Sequence, residues 1–170
     1  ALFDEQVVQE IYRRVSPAVV EIRIDRRGGE SFTQLGSGSG FLIDQEGHIV
    51  TNNHVIQEGD RVRVNFLNGE SVEAEILGTN PGNDLALLKV DSAAVAGIDP
   101  VALGDSSQAL PGQLAIAIGS PFGLDGSVTV GVISGVGRTL DSDIARPIAG
   151  VLQTDALISP GNSGGPLLNS

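Results

Sequence analysis

Two periodicities divide the chain. Over residues 4–15 the apolar positions Val7, Val8, Ile11, Tyr12 and Val15 recur at the spacing of one helix face, with polar residues between them. Asp4 stands where an N-cap carboxylate would accept a free backbone N–H, and Ser16-Pro17 ends the helix because proline disfavours the helical region for its predecessor. From Ala18 onward the period falls to two. It predicts strands over Ala18–Asp25, Phe41–Asp44, His48–Asn53, Arg61–Leu67, Glu70–Leu77 and Leu85–Val90, and then over Gln113–Ile118, Ser127–Gly137, Val151–Asp155 and Pro166–Leu168. Asn68-Gly69 is a two-residue hairpin signal and Asn80-Pro81-Gly82-Asn83 a turn. Residues 26–35 read as a polar loop around Gly28-Gly29, with the glycine-rich run Gly36–Gly40 leading into the next strand.

The strands fall into two groups, separated by the small, irregular segment Asp91–Pro100. Closely spaced antiparallel strands in two sets suggest two barrels rather than alternating β–α units. The expected organisation is a helical segment over 1–17, a first barrel lobe over 18–95 and a second over 96–170. The chain stops seven residues after Ser163. A second barrel would then lack its last strands, so a further segment is expected to complete it, since an open barrel leaves unpaired edges.

Composition narrows the functional classes. Of 170 residues, 41% are hydrophobic but only 4% aromatic, so the core is built from Val, Ile, Leu and Ala. A net charge of −11 argues against nucleic acid or anionic lipid as a partner. With no cysteine, disulfides, thiolate metal sites and cysteine nucleophiles are excluded, and the chain suits an oxidising compartment without identifying one. No apolar run reaches the roughly 20 residues of a membrane span, and the N-terminus does not read as a signal peptide. The run Gly36–Gly40 precedes a strand and not a helix N-terminus, which removes the basis for phosphate binding. Two histidines without clustered carboxylates make neither a metal site nor a bound cofactor an expectation.

The candidate chemistry lies near the end, in Gly161-Asn162-Ser163-Gly164-Gly165-Pro166-Leu167. Glycines around a serine give the backbone freedom and the clearance that a nucleophile and its oxyanion donors require. By itself such a stretch is equally a glycine-rich turn, and a serine needs a base and an orienting acid. His54 and His48 are the two histidines available; the turn beside His48 predicts exposure, and His54 closes a strand between apolar neighbours. Asp84 sits between a turn and the apolar Leu85-Ala86-Leu87-Leu88, where a carboxylate could enter a crevice. Asp44, Asp60, Asp105 and Asp125 read as turn residues, and Asp155 as a support for the nucleophile loop. His54, Asp84 and Ser163 follow in the chain order that chymotrypsin uses, with base and acid in one strand group and alcohol in the other.

Thr51-Asn52-Asn53-His54-Val55, Asn83-Asp84-Leu85-Ala86-Leu87-Leu88-Lys89-Val90 and the stretch around Ser163 together resemble the three signature segments of the HtrA/Deg serine proteases. Gly38-Ser39-Gly40-Phe41, Ala117-Ile118-Gly119-Ser120-Pro121-Phe122-Gly123 and Gln153-Thr154-Asp155-Ala156 are similar to the intervening family segments. The resemblance implies an all-β, chymotrypsin-like pair of six-stranded antiparallel barrels with an N-terminal helix, the second barrel incomplete. It implies cleavage of misfolded or unfolded proteins without ATP, a homotrimer, a periplasmic or otherwise extracytoplasmic location, and a C-terminal continuation carrying a PDZ domain. It assigns His54 as general base, Asp84 as its orienter, Ser163 as nucleophile, and the N–H groups of Gly161 and Ser163 as the oxyanion hole.

Two departures qualify the transfer. Asn162 stands where chymotrypsin-like zymogens carry the aspartate that pairs with a freed N-terminus, so ordering of loops such as Arg138–Gly150 and Ser159–Asn162 is the expected switch. The residues leading to the serine, Ala156-Leu157-Ile158, offer no carboxylate for a basic side chain. Leu157 and Ile158 as pocket residues therefore predict cleavage after small or medium aliphatic residues, with substrate bound as an added strand. The competing reading is a chaperone-like peptide-binding module that cleaves nothing.

Overall fold

A computed structural model describes residues 4–120, 126–141 and 147–170. The first helix, α1 (Glu5–Val15), begins where Asp4 accepts the Gln6 N–H at 2.9 Å, and carries Arg13 and Arg14 in its last turn, where they complement the helix dipole. Its stripe of Val8, Ile11, Tyr12 and Val15 packs on Val19, Ile116 and Ile118, which joins the helix to both strand groups. The Tyr12 hydroxyl adds a 3.0 Å bond to the Gly126 carbonyl.

Six strands then close a barrel: β1 (Val19–Gly28), β2 (Ser31–Leu42), β3 (His48–Thr51), β4 (Arg61–Asn65), β5 (Ser71–Asn80) and β6 (Leu85–Lys89), in the spatial order β1-β2-β3-β6-β5-β4. Every pairing is antiparallel. Alternate residues point inward, and Val20, Ile22, Ile24, Leu42, Ile49, Val62, Val64, Phe66 and Leu88 fill the interior with relative exposures of 3% or less. The connection after β6 also feeds this core through Ala94, Val95 and Val101.

The segment 26–35, expected as a loop, is strand on both sides of a tight turn. Arg26 pairs with Thr33 and Gly28 with Ser31, so β1 and β2 run on as an exposed two-stranded arm. Both faces of this arm meet solvent, and apart from Phe32 and Leu35 its side chains are polar or absent while its backbone remains paired. At the arm's base Arg61 stacks 3.6 Å from the Phe32 ring centre and pairs with Asp25, which is buried on the barrel's outer surface and also bound by Arg23. The glycine-rich run 36–40 likewise lies within β2, against Ile24 to Val20.

The second strand group, β7 (Leu114–Gly119), β8 (Ser127–Leu140), β9 (Ile148–Thr154) and β10 (Leu167–Leu168), forms a curled four-stranded sheet in the order β10-β7-β8-β9. It is half of a second barrel, as the incomplete-barrel expectation has it. Its concave side leaves a hollow of ≈ 480 Å³ lined by Leu114, Ile133, Leu152 and Leu168 among others. No helix among the described residues is long and apolar enough to cross a membrane.

Candidate active site

His54 was expected to close a strand. It instead sits in a one-turn helix, α2 (Asn53–Ile56), because β3 ends at Thr51. The chain turns there because Asn52 Nδ2 donates to the Asp84 carbonyl at 2.7 Å and Asn53 N–H to the same oxygen at 3.2 Å. The turn swings His54 out of the barrel wall, so its flanking residues are half-buried and its own side chain is 44% exposed.

Asp84 faces it from the turn before β6. It follows the single helical turn Pro81–Asn83 and has φ 54° and ψ 45°, the one left-handed non-glycine residue among those described. Aspartate tolerates this region better than most side chains, and such strain persists where the surroundings over-determine it. Four bonds to α2 and its entry do so here. Besides the two to its carbonyl, Asp84 Oδ1 accepts His54 N–H at 2.8 Å, and Oδ2 lies 2.6 Å from His54 Nδ1. This arrangement fixes the imidazole's rotation and puts a proton on Nδ1, leaving Nε2 free to accept one.

The other histidine forms a separate pair. His48 Nδ1 lies 2.6 Å from Asp44 Oδ2, and Asp44 Oδ1 accepts the N–H groups of Glu46 and His48. Partial burial works to raise the Asp44 carboxyl, but these N–H donors and the imidazole outweigh it and hold its pKa below the ordinary value. Ligand atoms of Asp44, Glu46 and His48 fall within 4.8 Å of one another, although this Asp44 geometry is that of a turn clasp.

Ser163 arrives from the second strand group at the end of the helical turn Pro160–Asn162. Its loop lies against β2 where that strand's edge is open: β3 pairs with β2 only at Phe41 and Leu42, so the Ser39 N–H is free to donate to the Ser163 carbonyl at 2.7 Å. Gly164 (φ +87°) allows the approach. A Cβ there would stand 2.0 Å from the Ser39 carbonyl oxygen and 2.5 Å from Thr51 Oγ1. A Cβ on Gly38 would meet both the Val55 side chain, at 2.8 Å, and the Ser163 carbonyl, at 3.1 Å, so the residue after His54 and the serine converge on one glycine. Among the described residues, neither Ser163 Oγ nor His54 Nε2 has a hydrogen-bond partner.

The model of the trypsin-like peptidase domain matches residues 38–170. The chain belongs to the trypsin-like peptidase family. Within it, the chain is 42% identical over 174 residues to the chloroplastic Protease Do-like 1 of Arabidopsis thaliana, which covers 98% of this chain and 39% of that protein. It is 45% identical over 143 residues to a probable periplasmic serine endoprotease, DegP-like, of Pseudomonas putida, covering 84% of this chain and 29% of the relative. Two structures of the HtrA-type protease AlgW with tripeptide superpose with TM-scores of 0.81 and 0.79; each is 33% identical and matches 95% of this chain and 50% of the other. The serine endoprotease from Yersinia pestis follows at 0.76, 34% identical, covering 95% and 53%. This peptidase-family chain is thus homologous to the HtrA/DegP proteases and spans about half or less of the relatives it matches.

The remaining site residues fall around the serine of this peptidase fold. Asn162 is buried; its Oδ1 accepts from Ser127 Oγ at 3.1 Å and its Nδ2 donates to the Leu157 carbonyl at 3.3 Å. A neutral amide is satisfied there by neutral partners. Asp155 supports the sheet below the loop by accepting the Val132 N–H at 2.7 Å. Leu157 and Ile158 are 70% and 54% exposed, so the described residues form no closed pocket around them. Gly161 and Ser163, the oxyanion donors that the family resemblance assigns, are not both free, because the Ser163 N–H donates to the Pro160 carbonyl at 3.2 Å. Pro121, Phe122, Gly123 and Asp125 lie outside the described residues, as do positions 142–146 of the expected switch loop. Sequence reading passed over Ser39, whose hydroxyl donates to the Gly161 carbonyl at 2.6 Å and accepts from the Ser120 N–H at 2.8 Å.

Proposed function

We propose that the chain is the protease domain of an HtrA/Deg-type serine endopeptidase that degrades misfolded or unfolded proteins through an acyl-enzyme. His54 Nε2 takes the Ser163 proton as Oγ attacks the scissile carbonyl, then returns it to the leaving amine. Asp84 keeps the imidazole in the Nδ1–H tautomer and stabilises its cationic form. Water repeats the sequence on the ester. The observation that carries this reading is the doubly bonded His54–Asp84 pair, facing the loop of a serine from the other strand group within a trypsin-like peptidase domain.

The oxyanion is to be held by the N–H groups of Gly161 and Ser163. With the Ser163 N–H on the Pro160 carbonyl, the present loop geometry supports a resting state. Turning the 160–161 peptide would free that donor and swing the Gly161 N–H toward the substrate oxygen. The same bond favours the second reading, a peptide-binding module that does not cleave. Exposed Leu157 and Ile158 suit small or medium aliphatic side chains once the neighbouring loops order around a substrate. A trimer and an extracytoplasmic location belong to this proposal by likeness to the relatives, whose bacterial members are named as periplasmic.

Labelling with a fluorophosphonate tests it. The intact protein should be modified once, at Ser163, and the Ser163→Ala variant not at all; a folded parent that resists the reagent in the presence of a cleavable peptide refutes the hydrolase reading and leaves the binding module.

A further inference from the structure

We propose that Ser39 is a positioning residue for the acyl-transfer step, one that ties the nucleophile loop to the lobe carrying His54; this rests on the reading of Ser163 as nucleophile. Ser39 is fully buried in β2 and makes four bonds, two to the nucleophile loop, one to the residue that follows β7 and one to β3. Its N–H donates to the Ser163 carbonyl at 2.7 Å, and its hydroxyl donates to the Gly161 carbonyl at 2.6 Å. The same hydroxyl accepts from the Ser120 N–H at 2.8 Å, and the Ser39 carbonyl accepts from Thr51 Oγ1 at 2.7 Å. The two carbonyls that flank Asn162 are therefore both held by one residue of the first barrel.

Two consequences follow for the chemistry. The Gly161–Asn162 and Ser163–Gly164 peptide planes are pinned, so Ser163 is held against β2 beside Gly38, the residue on which Val55 of α2 also packs. The Pro160–Gly161 peptide, whose carbonyl takes the Ser163 N–H, is left outside the pinned stretch. The loop can then exchange that bond for an oxyanion contact by rotating one peptide upstream of Gly161, without dragging the nucleophile along. A serine is suited to the task because its hydroxyl both donates and accepts, and Ser39 uses both capacities. Alanine would leave the half-buried Gly161 carbonyl and the buried Ser120 N–H without this partner, and an error of about 1 Å in the nucleophile's placement costs on the order of 10²-fold in rate.

The test compares parent, Ser39→Ala and Ser163→Ala as intact proteins, by fluorophosphonate labelling rate, peptide hydrolysis, and affinity for a peptide boronate against that for the matching product peptide. Ser39→Ala should label about 10- to 100-fold more slowly, with kcat and boronate affinity falling by a similar factor. KM and product affinity should stay within about twofold of the parent, a split that general loss of structure does not produce. Parental labelling by Ser39→Ala, or equal losses in KM and kcat, overturns the role of Ser39. If Ser39→Ala does not melt cooperatively, Ser39→Cys decides, because its thiol donates only weakly to the Gly161 carbonyl. Slower labelling of that variant supports the role and a parental rate overturns it. A parent that labels no better than Ser163→Ala removes the underlying hydrolase reading, and the Ser39 role falls with it.

Discussion

Replacing Gly164 by alanine separates backbone strain from close packing at the contact between strand groups. At φ +87° an L-residue is strained by about 1–2 kcal/mol. The added Cβ would also stand 2.0 Å from the Ser39 carbonyl oxygen and 2.5 Å from Thr51 Oγ1. Both are held: the carbonyl belongs to a paired strand, and the hydroxyl donates to that same oxygen. Relieving the overlap costs about 1–3 kcal/mol as overpacking, and displacing the Thr51 bond about 1 kcal/mol more. Gly69 provides the control, with φ +88° and nothing within 4 Å of its would-be Cβ, so Gly69→Ala carries the strain alone. Gly164→Ala should therefore be about 2–4 kcal/mol less stable than Gly69→Ala. At 2–4 °C per kcal/mol for a chain of this size, its midpoint should lie roughly 5–15 °C lower. Urea and thermal melts followed by far-ultraviolet circular dichroism suit a chain with no tryptophan and one tyrosine. If the loop yields instead of the strand, the stability gap narrows but Ser163 labelling drops. Equal melting of the two alanine variants with undiminished labelling would refute the close approach of Gly164 to Ser39 as a constraint on the fold.

Two further outcomes are expected. Asp84→Asn should melt like the parent, since asparagine also accepts left-handed backbone, yet lose about 10⁴-fold in kcat on a peptide substrate because the amide favours the wrong imidazole tautomer; a loss under tenfold would contradict the role given to Asp84. Burial works to raise the Asp25 carboxyl, but its bonds to Arg61 and Arg23 prevail and lower its pKa. A lowered folded pKa means the folded state binds fewer protons in acid, so this stabilisation is complete above the unfolded value near 3.9 and fades as pH falls through the folded one. The stability gap between the parent and Asp25→Asn should accordingly close below about pH 4 in urea titrations; a gap independent of pH would show that the pair contributes nothing to acid sensitivity.

Much of the framework was legible because it rests on side-chain spacing. The stripe from Val8 to Val15 and the alternation in β4 and β5 fix which faces are buried, and those faces fix the elements. The arm formed by residues 26–35 was not legible, since with solvent on both faces nothing in its side chains alternates; cross-strand backbone bonds alone make it a sheet. The turn holding His54 was hidden for a related reason. It depends on Asn52 and Asn53 reaching the backbone of Asp84, a contact that Val50 and Thr51 give no hint of. Motifs and chain order nominate His54, Asp84 and Ser163 together, and the structure joins the first two directly. Ser39 had no such signal: a serine among glycines has no period, and three of its four partners, Ser120, Gly161 and Ser163, come from the other strand group.

The closed first barrel sets an order of events during synthesis. Domains form from the N-terminal side as the chain emerges, and β6 seals the barrel immediately after Asp84, so the imidazole and its carboxylate are in register while Ser163 has yet to be made. On the reading of Ser163 as nucleophile, no cleaving arrangement would exist on the nascent polypeptide until the last sheet docks against β2, and folding itself would act as the safety catch.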